Sequence, residues 1–392
     1  MFFDVEHDEK SAGMFDAKAF NSYNLLCLLL NLRENFMELL KKTIAEIKPL
    51  DKRAMDLALK RQDNLAKPLG SLGRLEEISI QLAGIRGIDS GKSQKECTVV
   101  MCADNGIFEE GVSSCPQHIT IVQSVNFVKG LTGISVISRH AGSDIRVFDV
   151  GINSDFNYPG LINKKIRKST WNIAKGPAMS REEAIRSIEI GIEAADNLAK
   201  EGYGIIGTGE MGIGNTSTSS AVLMSLTGCD VSVAVGKGAG MTNEGYLAKK
   251  ETIKKAVKLN DSNPKDPIDI LCKVGGFDIG GMTGVFLGGA KNRIPVVIDG
   301  FISAVAALLA YRLNPESKNF MIPSHISEEP GYKLAMDIMG LEPILNLHMR
   351  LGEGTGCPLV FGIIKAADAI MNEMATFAEA EIVNDYLIDI RE

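Results

Sequence analysis

The stretch Tyr203-Gly204-Ile205-Ile206-Gly207-Thr208-Gly209-Glu210-Met211-Gly212-Ile213-Gly214-Asn215-Thr216 decides the fold. It opens on an apolar run, expected as a strand over 203–207, and passes through glycines into a segment expected as a helix over 217–226. The same alternation continues on both sides. Strands are expected over 97–103, 145–150, 294–298 and 319–322. Helices are expected near 121–130, over 178–201, 243–259 and 301–313, and near 331–339, 344–349 and 358–379. Ser180 with Glu183 three residues on reads as a capping box for the helix over 178–201. Pro343 suits the first position of the helix over 344–349. Strands separated by helices predict a parallel sheet covered on both faces.

Composition narrows the function. With 42 basic against 49 acidic residues and no basic tract, the chain has no electrostatic footprint for nucleic acid. Its seven cysteines are scattered and include no Cys-x-x-Cys pair, so reduced thiols in a cytoplasm are expected. Five histidines without metal-ligand spacing argue against a zinc site. No apolar run reaches about 18 residues, so no membrane span is expected. The apolar stretch Leu25-Leu26-Cys27-Leu28-Leu29-Leu30 follows Asp4, Glu6, Asp8 and Glu9, which is not a signal-peptide start. Met37 opens a far more regular, helical segment over 37–93. Residues 1–36 are therefore expected to be an extension outside the fold.

Five tracts carry polar groups among glycines or serines near the ends of apolar runs: 103–106, 207–216, 275–281, 323–330 and 350–356. Several such loops in one chain suggest a single site at the strand ends of an open sheet. In Arg350-Leu351-Gly352-Glu353-Gly354-Thr355-Gly356, one carboxylate stands between glycines, placed to take a proton from a bound ligand. Gly207-Thr208-Gly209-Glu210-Met211-Gly212 matches the dinucleotide pattern G-x-G-x-x-G. Glu210, however, puts a negative charge where a pyrophosphate would lie. Asp230 precedes the next apolar run, where a ribose-binding acid would follow it. A monophosphate on the backbone N–H groups of Gly212 through Thr216, Asn215 included, suits the pattern better. Lys249 or Lys250 would neutralise it, and Ser327 would donate a hydroxyl. His325 is a candidate acid or base. Met211 and Leu351 flank the two carboxylates and offer an apolar slot for a flat ligand. From the residues alone, an NAD(P)-dependent oxidoreductase and a non-catalytic nucleotide-binding protein stay open.

From about residue 50 to residue 377 the chain resembles the nicotinate-nucleotide:dimethylbenzimidazole phosphoribosyltransferase family of cobalamin lower-ligand assembly. The tract Lys67-Pro68-Leu69-Gly70-Ser71-Leu72-Gly73-Arg74-Leu75-Glu76, the loop over 103–120 and the tracts over 209–216, 275–281, 323–331 and 350–356 carry the resemblance, in order. It implies an α/β, Rossmann-like catalytic domain over 94–357, a small helical domain from 37–93 and 358–392, and a homodimer. It implies transfer of phosphoribose from nicotinate mononucleotide to 5,6-dimethylbenzimidazole, giving α-ribazole 5′-phosphate and nicotinate. By resemblance, Glu353 is the general base and Glu210 the second acid at the reacting centre. Gly212, Lys249 and Ser327 hold the phosphate, and Gln123, Met211 and Leu351 the benzimidazole. Cys115 stands where some members carry serine, which leaves the preferred azole open. The scheme needs no metal or cofactor.

Overall fold

The computed structural model describes residues 37–87, 95–238, 240–385 and 387–389. The expected extension over 1–36 lies outside the described residues. Six parallel strands form one sheet: β1 Lys95–Ala103, β2 Asp144–Gly151, β3 Leu161–Asn163, β4 Tyr203–Met211, β5 Val296–Ile298 and β6 Met321–Pro323. Their order, β3-β2-β1-β4-β5-β6, is that of a doubly wound dinucleotide-binding sheet. The order reverses between β1 and β4, so the chain segments leaving these two strands diverge and open a crevice. Strands of this kind are covered on both faces, and β1 is buried from its second residue to its last.

Several local expectations are corrected. β3, three residues long, has no counterpart among the expected strands. β4 runs to Met211, not to Gly207, so most of the glycine pattern lies inside a strand. The strand expected over 319–322 begins at Met321, after a 3-10 turn over Pro315–Phe320. The tract over 275–281 does not follow a strand. Gly275 ends the helix Pro267–Val274, and a second helix, Phe277–Lys291, starts two residues later. That second helix is glycine-rich because it crosses the helix Arg181–Lys200 at backbone contact. A Cβ on Gly284 would fall on the carbonyl of Ile188, and one on Gly191 on the carbonyl of Gly281. No helix forms over 344–349. Leu345 instead pairs with His325 in a parallel bridge, and its N–H donates to the Ser324 carbonyl at 2.9 Å, extending the sheet edge beyond β6. There the backbone gains sheet partners that outweigh helix propensity.

Other elements follow the pattern closely. The helices Phe301–Leu313 and Gly331–Met339 form with the expected bounds, and the Ser180–Glu183 capping box is made in both directions. Helices Lys52–Asn64 and Arg74–Arg86 pack with the closing helix Gly356–Glu373 from the other end of the chain. Ile78, Leu82, Phe361 and Ile364 share a core cluster with Ile205, Val297 and Ile322 of the sheet. Truncating a buried aromatic such as Phe361 would cost about 3–5 kcal/mol. The tract over 67–76 is folded by a buried ion pair, Lys67 to Glu76 at 2.7 Å, and the same carboxylate oxygen accepts the Leu72 N–H. By length and composition Ile119–Ala141 is apolar enough to cross a membrane. Gly130, at φ 76°, ends one helix there and Thr132 caps the next, while Phe127 and Ile134 are buried against β1 and β2. The six cysteines among the described residues are all free thiols.

Candidate active site

A cleft of about 630 Å3 opens at the carboxyl ends of β1, β4, β5 and β6. Of the residues singled out from sequence, Glu353, Glu210, Gly212, Asn215, Thr216, Ser327, Cys115, Gln123, Met211 and Leu351 all line it. Lys249 stands just behind this wall. Its Nζ donates to Thr216 Oγ1 at 3.0 Å, and burial pushes its ammonium down to about 8, with Glu329 acting the other way. Lys250 turns away to lie over the Tyr246 ring at 4.5 Å.

The loop bearing Glu353 crosses directly over β4. Gly352, Glu353 and Gly354 all have positive φ, at 84°, 65° and 92°. Glutamate rarely adopts this conformation, and such strain persists only where the surroundings over-determine it. Here three contacts do so. The Glu353 N–H points at Glu210 Oε1, 3.4 Å away. Asp299, following β5, accepts the Gly354 N–H on one oxygen at 3.0 Å and the Gly356 N–H on the other at 2.7 Å. Beneath the loop, Gly209 leaves room for the Glu353 backbone, and Gly207 for the Cys357 side chain 2.6 Å from where its Cβ would be. The first two glycines of the G-x-G-x-x-G pattern, Gly207 and Gly209, therefore serve loop packing inside β4, and the context for wrapping a pyrophosphate is missing.

Both carboxylates are buried. Glu353 Oε1 accepts from Gln123 Nε2 at 2.6 Å, while Oε2 has no hydrogen-bond partner. Burial raises its carboxyl above the ordinary range; Gln123 and the nearby Ile134 amide act the other way. Glu210 is pushed up to about 8, first by burial and then by the charge of Asp278, with the Asn215 hydrogen bond opposing. Asn215 Nδ2 donates to Glu210 Oε2.

At the far side of the cleft two helices begin without a side-chain cap: Asn215–Thr227 after Gly214, and Phe301–Leu313 after Gly300. Uncapped first-turn N–H groups and the helix dipole favour an anion there. Ser327 lies beside the second, its Oγ 3.6 Å from where a Cβ on Gly300 would stand. Its oxygen accepts the Glu329 N–H at 3.4 Å in a turn before the helix Gly331–Met339. His325 also lines the cleft, bonded to Ser324 Oγ through Nδ1 at 2.9 Å and 4.0 Å from Asp299 Oδ1. Asp299 was not singled out from sequence, and Asp278 only as the polar group of the tract over 275–281. Each is one acid after a strand or glycine turn, a pattern too common to signal anything. No cluster of side chains suited to a metal occurs among the described residues.

The fold and the cleft are those of a phosphoribosyltransferase, and the family model described as "Phosphoribosyltransferase" matches residues 47–382. A protein of Clostridium tetani (strain Massachusetts / E88) named nicotinate-nucleotide–dimethylbenzimidazole phosphoribosyltransferase is 52% identical over 357 residues, 91% of this chain and 99% of that one. One of the same name from Ruminiclostridium cellulolyticum is 56% identical over 342 residues, 87% of this chain and 97% of that one. The crystal structure of CobT from Thermus thermophilus superposes with a TM-score of 0.81 at 35% identity, covering 85% of this chain and 99% of that one. The chain belongs to the nicotinate-nucleotide–dimethylbenzimidazole phosphoribosyltransferase family.

Proposed function

We propose that the chain transfers the phosphoribosyl group of nicotinate mononucleotide to 5,6-dimethylbenzimidazole, with Glu353 as general base. The observation that carries this is the Glu353 carboxylate: buried, lining the cleft, and held by Gln123 through Oε1. The chemistry asks for such a group. The nicotinate ring of the mononucleotide is already a cation, so its nitrogen leaves with the bonding electron pair and needs no acid. One benzimidazole nitrogen attacks C1′ from the opposite side, which inverts the anomeric centre from β to α. The other nitrogen must shed its proton, and Glu353 takes it. A positioned base of this kind contributes about 10²–10⁴-fold, and alignment of two substrates more.

Glu210 opposes the positive charge that builds on the ribose. The helix start at Gly212–Thr216 with Asn215, the ammonium of Lys249 and the hydroxyl of Ser327 hold the phosphate. Gln123, Met211, Leu351 and Cys115 receive the azole. A homodimer belongs to the same proposal. Val122, Leu131, Val136 and Leu351 are exposed, and Leu351 Cδ2 lies 2.9 Å from where a Cβ on Gly133 would stand, so this apolar group gathers beside the Glu353 loop. A reducing cytoplasm is the proposed compartment, in keeping with the free thiols. Incubation with nicotinate mononucleotide and dimethylbenzimidazole, followed by chromatography, tests the reading. It predicts α-ribazole 5′-phosphate and nicotinate in equal amounts, and absence of the ribazole product overturns it.

A further inference from the structure

Behind the cleft, a second buried carboxylate shares a hydrogen-bond donor with Glu210. Asp278 is the second residue of the helix Phe277–Lys291 and has no exposed surface. The Asn215 amide donates through Nδ2 to Glu210 Oε2 and, at 3.2 Å, to Asp278 Oδ2. The other oxygen, Asp278 Oδ1, is out of water and meets no side-chain donor, while the amides of Ile279 and of Asp278 itself act on the carboxylate. Asn105 Oδ1 is close by: both oxygens crowd the place where a Cβ on Gly276 would stand, Asn105 Oδ1 at 2.6 Å.

An amide NH2 has two hydrogens, so Asn215 can serve both carboxylates. It brings no charge to offset theirs. The acidic and thiol groups around the pair are Asp299 at the end of β5, Asp104 and Cys102 at the end of β1, and Glu353 on its loop; the basic groups nearby, His325 on the cleft wall, Lys249 behind Thr216 and Arg167 over the Phe277 ring, bond to other partners. Two like charges buried this close are not both ionised without a large cost. We propose that Asp278 is a positioning residue for Glu210: with Asn215 it turns that carboxylate to the cleft and keeps one proton on the pair until the pyridinium ring of the nucleotide enters.

The inference rests on the phosphoribosyltransferase reading, because it needs a pyridinium nucleotide beside Glu210. When the pyridinium ring is seated beside it, Glu210 gives up its proton to solvent and becomes the anion that opposes charge on the ribose. No bond of the nucleotide changes in this step. The directions agree, since burial and then Asp278 raise Glu210 to about 8, and burial raises Asp278 to about 6. The site thus holds its negative charge in reserve and exposes it only to the substrate that calls for it.

Calorimetric titration with nicotinate mononucleotide alone, at pH 7 in buffers of differing ionisation enthalpy, counts the protons released on binding. The wild-type protein is expected to release about one. Asp278→Asn keeps an acceptor for Asn215 and removes one charge, so a larger share of Glu210 is ionised before binding and the proton release falls below that of the wild type. In the same variant the acid limb of the kcat profile moves to lower pH, with the KM for dimethylbenzimidazole unchanged. A merely structural Asp278 would leave the proton count where it was. Equal release in the two proteins, or none from the wild type, overturns the inference, and the wild-type count decides it if Asp278→Asn does not fold. Product without proton release would sink this inference and leave the function standing, whereas absence of product would sink the function.

Discussion

The backbone of Glu353 occupies the space that a side chain on Gly209 would need: a Cβ there would lie 2.8 Å from the Glu353 carbonyl carbon and closer still to its oxygen. A glycine in the middle strand and a carboxylate 144 residues later (353 minus 209) are thus one structural unit. The carboxylate is set by the sheet below it, and its placement is expected to fail when that space is filled.

Gly209→Ala should therefore lose turnover while keeping the fold. The added methyl lifts the loop, and a displacement of about 1 Å at a reacting group can cost roughly 10²-fold in rate. Circular dichroism should stay native and mononucleotide affinity should change little. A kcat close to that of the wild type would mean that the loop is held from elsewhere.

Lys249→Ala should raise the KM for the mononucleotide far more than that for the azole. The loss should be about 1–3 kcal/mol, as for a charged hydrogen bond, because two helix starts and Ser327 still face the phosphate. An unchanged KM would remove Lys249 from the phosphate site.

The same lysine predicts a pH dependence. Burial lowers its ammonium to about 8, so it carries charge below that pH and loses it above. The kcat/KM for the mononucleotide, which reports the free protein, should fall as pH rises through about 8. In Lys249→Ala that basic limb should vanish, and its persistence would assign the limb to another group.

Much of this arrangement was legible in the sequence. Alternating apolar runs and helical spacing give a parallel α/β sheet, and helices such as Phe301–Leu313 announce their own ends. The tract over 350–356 declares a carboxylate held by glycines. What was not legible depends on tertiary contact. The glycines of Phe277–Lys291 read as loop, because their purpose, backbone contact with Arg181–Lys200, lies on another helix. Leu345 reads as helical until β6 offers it a strand partner. The glycine pattern ending at Gly212 looks like a nucleotide loop because the reason for Gly207 and Gly209 arrives only with Glu353 and Cys357. Asp299 anchors that loop through two amides far away in sequence, and no local pattern marks it.

The proposed azole pocket should be permissive. Met211 and Leu351 present apolar surface, and Cys115 is a weak hydrogen-bond former. Each methyl group in such a slot is worth about 1–3 kcal/mol. Competition between equal concentrations of dimethylbenzimidazole, benzimidazole and adenine should give products of more than one base. A bias above about 10⁴-fold would exceed what an apolar slot supplies and would require a buried polar contact.

The most direct test of the central claim is turnover of Glu353→Gln at saturating mononucleotide and dimethylbenzimidazole, measured beside its affinity for the mononucleotide. Glutamine keeps the size of the side chain and its contact with Gln123 but cannot accept the benzimidazole proton. The account predicts a fall in kcat of at least about 10²-fold with mononucleotide affinity nearly unchanged. A kcat within a few-fold of the wild type would contradict it.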